Sequence, residues 1–465
     1  MSDKPTRTKT LERIKTGTFE RRLSMTKIGV VAGTRFAAKS AGNFFTPKEQ
    51  RKQRQKDILA QQAHYLVDEI GKLKGSVVKI GQMMALYGEH FLPKEVTDAL
   101  HTLEDDTATL CWTSIYEALE DELGPEKLSQ LIIEENAIGA ASIGQVHRAM
   151  IKETGEQICL KIQYPGVAAA VDTDLNAVKS LLKILKIIPL TEEFEHWFHE
   201  IREMMYREVD YLHEAEKTCL FGERLKNDPR FIVPKVYNEF STRRVLATSY
   251  EAGANINSKE TLELSQERRN KLCSAALDLC WQEVFVWGEM QTDPNFGNYF
   301  VRLGDNKNTE DRIILLDFGA VRRFLPATIN PGKKIINAAF KQDKDMLIEG
   351  ILELQFTAPN PPESVKQDLT KLCFMAIEPF ADIDKHPPPD FLINEQGEYL
   401  WGKSDLAARL SLQAGLSAAS RHFKVPPREL MFLMRKIMGA YTFMTVLNAE
   451  IKGIDILRPY LDNQS

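Results

Sequence analysis

The segment QTDPNFGNYFVRLGDNKNTEDRIILLDFG, residues 291–319, carries the pattern that decides the fold. Asp293 and Asn298 lie five residues apart, and Asp317 follows an apolar stretch, 313–316, that predicts a strand. Carboxylate and amide oxygens are the ligands that Mg²⁺ prefers, so Asn298 and Asp317 are candidate metal ligands. Asp293 is the candidate general base or orienting group. Taken alone, residues 293–298 are equally typical of a loop with Asp-Pro turn chemistry.

Two features that suit a bound phosphate lie upstream. Residues 138–146 read IGAASIGQV, a turn of small residues between two predicted strands, where backbone N–H groups can approach phosphate oxygens. A strand is predicted at 157–163, and Lys161 ends its apolar stretch ICLK, 17 residues after Gly144. A lysine in such a strand is costly without an anionic partner, which a phosphate and a glutamate would supply. The alternative is an edge-strand lysine whose ammonium group reaches water.

The four elements together are far more specific than any of them alone. A small-residue turn, a strand lysine, Asp-x4-Asn and a strand followed by Asp-Phe-Gly occur in this order in ATP-dependent kinases. Tyr250 follows an extended segment, Val245–Ser249, where a kinase hinge contacts adenine. The pattern therefore predicts ATP and Mg²⁺ as ligands. The predicted nucleotide-binding residues are Ala140, Ala141, Ser142, Gly144, Gln145, Val146, Lys161 and Tyr250.

Two expected elements of a protein kinase are missing. Residues 291–293 read Gln-Thr-Asp where His-Arg-Asp is expected, and no Ala-Pro-Glu follows Asp317-Phe318-Gly319 before Pro326. Without that second segment the chain has no recognisable platform for a peptide substrate. Classical protein kinase activity is therefore disfavoured.

Further motifs resemble the UbiB (AarF-domain) family of atypical kinases, which is associated with ubiquinone biosynthesis. They are Lys79-Ile-Gly-Gln82, Ala140-Ala-Ser-Ile-Gly-Gln-Val-His147, Lys161-Ile-Gln-Tyr-Pro-Gly166 and Glu208-Val-Asp210. The resemblance implies that the K-x-G-Q helix packs over the catalytic cleft and that the alanine-rich loop disfavours ordinary kinase behaviour. It also implies an ATP-binding phosphotransferase or ATPase that acts on, or is stimulated by, lipid or prenylated phenolic small molecules.

The resemblance also assigns partners to the two lysines. Lys79 and Gln82 lie on one helical face, and Lys79 is expected to pair with Glu208 or Asp210, which makes these four residues candidate regulators. Glu214 is expected to pair with Lys161 and to join it and Asp293 as a catalytic residue. One continuous helix would not direct Glu208 and Glu214 to the same side. Either they serve different lysines, or the two pairings are exchanged.

The combined pattern predicts an α+β, bilobal, protein-kinase-like fold. The expected divisions are a basic arm at 1–56, a helical K-x-G-Q extension at 57–131, an N-terminal lobe with a helical insert at 132–252, and a helical C-terminal lobe at 253–465. Helices are expected at 53–87, 94–103 and 114–123, the last beginning from a capping box of Thr113-Ser114 and Glu117. A long helical region, interrupted near Pro189, is expected at 167–226, and another helix at 265–287.

The net charge of −5 conceals an uneven distribution. Residues 1–56 hold 15 Lys and Arg against 4 Asp and Glu, a net charge of +11, which leaves −16 for the remainder. This arm is expected to contact an anionic membrane surface, or else to be a solvated extension. Nucleic acid is disfavoured as a partner because the acidic body would repel it.

Location is predicted from the cysteines and from hydropathy. The six separated cysteines, without a CxxC, favour a reduced, cytosol-like compartment. The sequence shows no apolar run of the roughly 18 residues that a membrane span requires. The expected location is cytoplasmic, or peripheral on the inner face of a membrane.

Two alternative functions stay open at this point. The first is a pseudokinase scaffold that binds nucleotide without turnover, against which the set Lys161, Asp293, Asn298 and Asp317 argues. The second is a membrane-surface lipid-binding protein in which ATP controls conformation.

Overall fold

A computed structural model describes residues 10–11, 48–71, 75–88, 92–103, 109–184, 192–293, 295–305, 309–355, 357–418 and 428–462. Most of the predicted basic arm, and the proline at position 294, lie outside the described residues. The chain divides into two compact units. Unit 1 comprises Met1–Cys219 and Lys235–Tyr250, and unit 2 comprises Leu220–Pro234 and Glu251–Ser465.

The elements are numbered in chain order. The α-helices are α1 (Lys48–Gly71), α2 (Ser76–Tyr87), α3 (Lys94–Leu100), α4 (Trp112–Leu128), α5 (Val167–Ile184), α6 (Glu192–Glu208), α7 (Tyr211–Leu225), α8 (Lys259–Leu262), α9 (Gln266–Trp281), α10 (Pro326–Lys341), α11 (Lys344–Glu353), α12 (Glu363–Ala376), α13 (Leu406–Ala418), α14 (Arg428–Val446) and α15 (Gly453–Asp462). The strands are β1 (Thr10–Leu11), β2 (Thr109–Leu110), β3 (Leu131–Ala140), β4 (Gly144–Ile151), β5 (Gln157–Gln163), β6 (Phe231–Ile232), β7 (Val245–Ser249), β8 (Ala254–Asn255), β9 (Glu289–Gln291), β10 (Tyr299–Arg302), β11 (Arg312–Leu315), β12 (Val321–Arg323), β13 (Tyr399–Leu400) and β14 (Glu450–Ile451).

Unit 1 is built around an antiparallel sheet with the strand order β3-β4-β5-β7. The central strand β5 alternates, because Ile158, Leu160 and Ile162 are buried on one face while Lys161 lies on the other. The register places Lys161 opposite Val146 of β4 and Leu246 of β7. Strand β5 coincides with its predicted bounds, which shows how well alternation locates a strand buried on one face.

Two helix predictions in unit 1 were wrong in detail. The helix expected at 53–87 is two helices, α1 and α2, and Gly75 before the second adopts a φ of 66°, which favours glycine. The expected capping box is absent, since α4 begins after Cys111 without a side-chain cap. The Ser114 hydroxyl lies instead 3.4 Å from the Cys111 sulfur.

The predicted helical region 167–226 is interrupted at Val209 and Asp210, and the break predicted near Pro189 lies outside the described residues. Helix α6 ends at Glu208, Val209 and Asp210 form a turn, and α7 begins at Tyr211. The Asp210 carboxylate accepts a hydrogen bond from the backbone N–H of Leu212 at 3.2 Å, which satisfies one of the free donors at the start of α7. Glu208 and Glu214 therefore lie on different helices, and the geometric conflict posed by one continuous helix disappears.

Unit 2 contains the two motifs of the opening segment on neighbouring strands. Strands β10 and β11 pair as an antiparallel hairpin, with Tyr299 opposite Leu315, inside a sheet of order β6-β11-β10-β8. Strands β9 and β12 pair separately. The helix expected at 265–287 is α-helical only to Trp281 and continues as a π-helix over Gln282–Trp287, ending at Gly288 with φ of 60°. This turn leads directly into β9.

Two further features of the described residues are the hydropathy of the helices and the state of the cysteines. Within the described ranges, no helix is both long enough and apolar enough to cross a membrane. None of the six cysteines forms a disulfide, and Cys273 and Cys280, seven residues apart on α9, are buried in the core.

Candidate nucleotide and metal site

The small-residue turn joins β3 to β4 in unit 1. It is closed by a hydrogen bond from the Ala141 N–H to the Gly144 carbonyl at 2.8 Å. A Cβ at Gly144 would lie 2.6 Å from the Ile162 carbonyl oxygen and 2.8 Å from the Tyr211 hydroxyl, so only glycine fits there. Ala140, Ala141 and Ser142 stay at least partly exposed at the tip, where backbone N–H groups suit an anion.

Two polar side chains hold the base of this turn. Gln145 is 1% exposed, and its amide accepts from the Leu110 N–H at 2.8 Å and donates to the Leu110 carbonyl at 3.3 Å. The same amide nitrogen donates to His147 Nε2 at 2.8 Å, while Nδ1 of His147 donates to the Glu134 carbonyl at 2.8 Å. The side chain of Gln145 is therefore occupied within the protein.

Acid is expected to destabilise unit 1 through protonation of His147 on β4. Burial lowers the pKa of His147 below its ordinary value, against the opposing effect of the Glu134 carbonyl. Stability from the neutral imidazole is therefore complete above the ordinary histidine pKa of about 6.5 and is lost as the pH falls toward the lower folded-state pKa. The melting temperature of the wild type should fall more between about pH 7.5 and pH 5.5 than that of His147→Gln. His213, whose pKa burial also lowers, is present in both proteins and cancels; parallel falls would contradict the expectation.

Lys161 meets Glu214 in a two-pronged ion pair. The Lys161 Nζ lies 2.7 Å from Oε1 and 2.8 Å from Oε2 of Glu214, whose side chain is 5% exposed. Tyr211 and Ala215 place this turn of α7 by packing on Leu246 of β7. The predicted pairing of Lys161 with Glu214 is confirmed.

Lys79 has a different partner. Its Nζ lies 2.8 Å from Oε1 of Glu208, and each of the two side chains is about one quarter exposed to solvent. Asp210 faces Arg243 at 3.8 Å and caps α7. Of the two acids predicted for Lys79, Glu208 is therefore the partner, and the exchanged pairing is wrong. Gln82 lies on the same helix as Lys79, with an intermediate exposure.

Asp293 and Asn298 come together in the loop between β9 and β10 of unit 2. Asn298 Nδ2 donates to Asp293 Oδ2 at 3.1 Å, and Arg435 Nη2 donates to Asp293 Oδ1 at 3.4 Å. The Asn298 carbonyl also accepts from the Leu316 N–H at 3.0 Å, which ties the loop to the strand end just before Asp317. The structure thus brings the Asp-x4-Asn motif and the Asp-Phe-Gly motif to one edge of this unit.

Gln291 stands where the kinase pattern has a histidine, and its side chain makes two hydrogen bonds within the loop region. Its side-chain oxygen accepts from the Asp293 N–H at 3.1 Å, and its nitrogen donates to the Asp317 carbonyl at 2.5 Å. The side chain is buried, so both bonds are shielded from water. An amide offers one donor and one acceptor group, as a neutral imidazole does. Gln291 therefore joins the two motifs.

A buried ion pair that the sequence did not indicate supports Gln291. Glu283 Oε2 accepts from the Gln291 N–H at 3.0 Å and from Lys436 Nζ at 2.6 Å. Burial raises the pKa of Glu283 against the opposing effect of Lys436. Burial lowers the pKa of Lys436, but the interactions with Glu283, Tyr299 and Cys280 together outweigh it, so the pKa of Lys436 is raised. Both residues come from largely apolar helical segments, so no local motif marks them. Arg435, next to Lys436, was missed for the same reason.

The residues present fit a metal held together with a phosphate. Asp317 Oδ1 accepts from the Gly319 N–H at 2.9 Å, which orients the carboxylate. Across the described part of the chain, no group of three or more His, Cys, Asp or Glu side chains is arranged to hold a metal by itself. Mg²⁺ commonly takes one or two protein oxygens and completes its shell with phosphate and water. Asn298 and Asp317 stay the predicted ligands of this kind.

Sequence comparisons relate the chain to known atypical kinases. Residues 102–351 match the ABC1 atypical kinase-like domain. The chain is 29% identical to probable serine/threonine-protein kinase abkA of Dictyostelium discoideum over 84% of this chain and 69% of that one. It is 30% identical to atypical kinase COQ8B, mitochondrial, of Danio rerio over 83% and 59% of the two chains. The corresponding figures for atypical kinase COQ8, mitochondrial, of Saccharomyces cerevisiae are 29%, 83% and 73%.

A solved structure supports the predicted fold class. The protein Rv3197 of Mycobacterium tuberculosis, determined in complex with erythromycin, superposes with a TM-score of 0.57 at 20% identity. The match covers 88% of this chain and 97% of that one, which shows the fold alone. The kinase-like fold with mixed helices and sheets is therefore confirmed. The chain belongs to the ABC1 (UbiB/AarF) family of atypical kinase-like proteins.

Proposed function

We propose that the protein is a Mg-ATP-dependent atypical kinase or ATPase that acts on, or is stimulated by, lipid-like small molecules. The observation that carries the proposal is the ion pair between Lys161 and Glu214, since a strand lysine held by a helix glutamate is the arrangement that kinases require for the α- and β-phosphates. Ala140, Ala141, Ser142, Gly144, Gln145 and Val146 would cap the nucleotide, and Tyr250 would lie near its base.

Unit 2 would supply the metal and the acceptor chemistry. Asn298 and Asp317 would hold Mg²⁺, which neutralises phosphate charge when it is bound. Asp293 would orient or deprotonate the attacking group, with Arg435 and Asn298 fixing its carboxylate. In phosphoryl transfer most of the catalytic effect comes from positioning and charge stabilisation. Lys161 and Asp293, which would supply these effects, are both already held by hydrogen bonds.

The acceptor would be a small molecule instead of a peptide. Only β12 separates the Asp-Phe-Gly motif from α10, which begins at Pro326, so this stretch lacks the activation segment on which a peptide docks. The family resemblance implies that the K-x-G-Q helix α2, which Lys79 and Glu208 tie to the end of α6, further restricts large acceptors. The family resemblance, with relatives named atypical kinase COQ8, supports a role in ubiquinone biosynthesis. Association with a membrane surface is part of this proposal.

Phosphate release from ATP tests the proposal directly. Turnover should require Mg²⁺ and should rise on addition of vesicles or a polyprenyl-phenol mimic. Lys161→Met should lower kcat/KM by roughly 10²- to 10³-fold, because it removes a preorganised cation. Lys235→Met, which removes an exposed lysine of the same unit, is the matched control and should be near wild type.

The alternatives give different results in the same assay. A pseudokinase scaffold would bind ATP without turnover under every condition, and Lys161→Met would weaken binding only. A protein in which ATP controls lipid binding would show vesicle association that depends on ATP, while phosphate release stays at the background rate. Turnover that is equal in the wild type and in Lys161→Met would contradict the proposed site.

A further inference from the structure

The start of the N-terminal arm lies against a strand that adjoins the proposed nucleotide turn. Strand β1 pairs in parallel with β2, so that Leu11 lies opposite Leu110. These two strands form a separate two-stranded sheet, and among the described residues β1 is therefore the only strand that pairs with β2. Residues 10–11 of the arm are thus held against unit 1 by backbone pairing.

Strand β2 is in turn bonded to the base of the turn. Leu110 is 4% exposed, and both of its backbone polar groups bond to the Gln145 side chain. Its N–H donates to Oε1 of Gln145 at 2.8 Å, and its carbonyl accepts from Nε2 at 3.3 Å. Gln145 is the second residue of β4, which begins at Gly144 where the turn ends. Because buried polar groups need their partners, the positions of Leu110 and Gln145 depend on each other.

The same side chain also reaches the strand on the other side of the turn. Gln145 Nε2 donates to His147 Nε2, and Nδ1 of His147 donates to the Glu134 carbonyl on β3, each at 2.8 Å. The backbone pairing of β3 with β4 is irregular in this stretch, with two register shifts between Ile133 and Gly139. Such irregularities interrupt the ladder of backbone hydrogen bonds. The side-chain network centred on Gln145 therefore takes over part of the work of holding the two strands together at the turn.

We propose that pairing of residues 10–11 with β2 orders the turn at 138–146 and thereby sets its affinity for a nucleotide phosphate. With β1 in place, Leu110 is fixed where it bonds the Gln145 amide, and Gln145 holds both strands of the turn. When β1 leaves, this constraint on Leu110 is lost and the turn loosens. A partner that captures the arm would therefore weaken nucleotide binding. The effect on the turn stands by itself, whereas the effect on affinity rests on the proposed function.

Amide hydrogen exchange of the full chain, followed by mass spectrometry without nucleotide, tests the effect on the turn. Thr10→Pro with Leu11→Pro removes both backbone N–H groups of β1, so the pairing breaks whichever of them donates. Exchange in the turn, where the Ala141 N–H bonds the Gly144 carbonyl at 2.8 Å, is expected to become roughly threefold to tenfold faster, the effect of about one hydrogen bond. Thr10→Val with Leu11→Ile keeps the N–H groups and a high strand propensity, and this control should match the wild type.

A third variant interrupts the proposed connection between the arm and the turn. Gln145→Met removes the amide and keeps a side chain of similar length. In this background the two prolines should no longer change exchange in the turn, because the connection runs through Gln145. The regular antiparallel pair β5–β7 is the internal reference and should exchange alike in every protein. If Gln145→Met fails to fold, the comparison of the two arm variants with the wild type decides the proposal.

The consequence for the nucleotide is measured by calorimetric titration of Mg-ATP. The dissociation constant should rise roughly threefold to tenfold in the proline variant and stay unchanged in the valine and isoleucine control. If none of these proteins binds ATP, the proposed function fails and the effect on affinity fails with it, while the exchange results still decide the effect on the turn.

Three exchange or binding results would overturn the proposal. One is exchange in the turn that is equal with and without the prolines. Another is an acceleration that persists in Gln145→Met or that extends equally to β5–β7, since either would show that the effect does not pass through Gln145. The third is an unchanged affinity for Mg-ATP in a proline variant whose turn exchanges faster, which would refute the link to nucleotide binding.

Discussion

Replacement of Asp317 by asparagine is expected to abolish Mg²⁺-dependent nucleotide binding while leaving the fold intact. The amide keeps an oxygen that can accept the Gly319 N–H now bound by Oδ1 at 2.9 Å, so the local backbone has no reason to move. What is lost is one negative charge at the proposed metal position. Because the carboxylate is the only anionic protein ligand proposed for the ion, ATP affinity in Mg²⁺ should fall by roughly 10²-fold or more.

Calorimetric titration of ATP with and without Mg²⁺ measures this change, with a urea melt to confirm folding. Glu310→Gln makes the same acid-to-amide change at an exposed position upstream of β11 and should leave binding unaltered. Asp293→Asn should lower the rate of ATP turnover and leave Mg-ATP binding unchanged, since it removes the orienting group and keeps both proposed metal ligands. Full Mg-ATP binding and hydrolysis by Asp317→Asn would refute the metal assignment.

The largest effect on stability is expected from Lys436→Met. This change leaves the carboxylate of Glu283, 2% exposed and 2.6 Å from the lysine, without its cation. Breaking a buried pair by removing one partner costs about 3–5 kcal/mol, because the remaining charge is uncompensated. Since Glu283 also accepts the Gln291 N–H, the loss should extend to the loop that holds Asp293.

A double variant distinguishes charge burial from simple loss of packing. Glu283→Gln with Lys436→Met keeps an acceptor for the Gln291 N–H and removes both charges, so it should recover most of the stability lost by the single change. Equilibrium unfolding in urea gives the free energies. Lys271→Met, in an exposed pair with Glu267, is the matched control and should cost less than about 1 kcal/mol. A single variant as stable as the wild type would show that the buried pair contributes nothing.

Much of the fold was predictable because its signals are local. The alternation in β5 and the apolar stretch before Asp317 depend on neighbouring residues, and both predicted strands are present. The capping box failed for the opposite reason. Residues 113–117 match the capping-box pattern, but α4 begins at Trp112, two residues earlier than predicted, and Ser114 contacts the Cys111 sulfur. A cap depends on where the preceding chain enters the helix, which the motif does not contain.

The sequence by itself determined the family, the order of the motifs and the residue types at the candidate site, because each of these is encoded within short windows. Only the tertiary structure decided which acid meets which lysine. The break at Val209–Asp210 has neither proline nor glycine to mark it, yet it directs Glu208 to Lys79 and Glu214 to Lys161. Glu283 and Lys436 are far apart in the chain and lie within helical segments, so their contact follows from packing between those segments. Pairings of this kind depend on long-range burial and charge compensation, which no local pattern records.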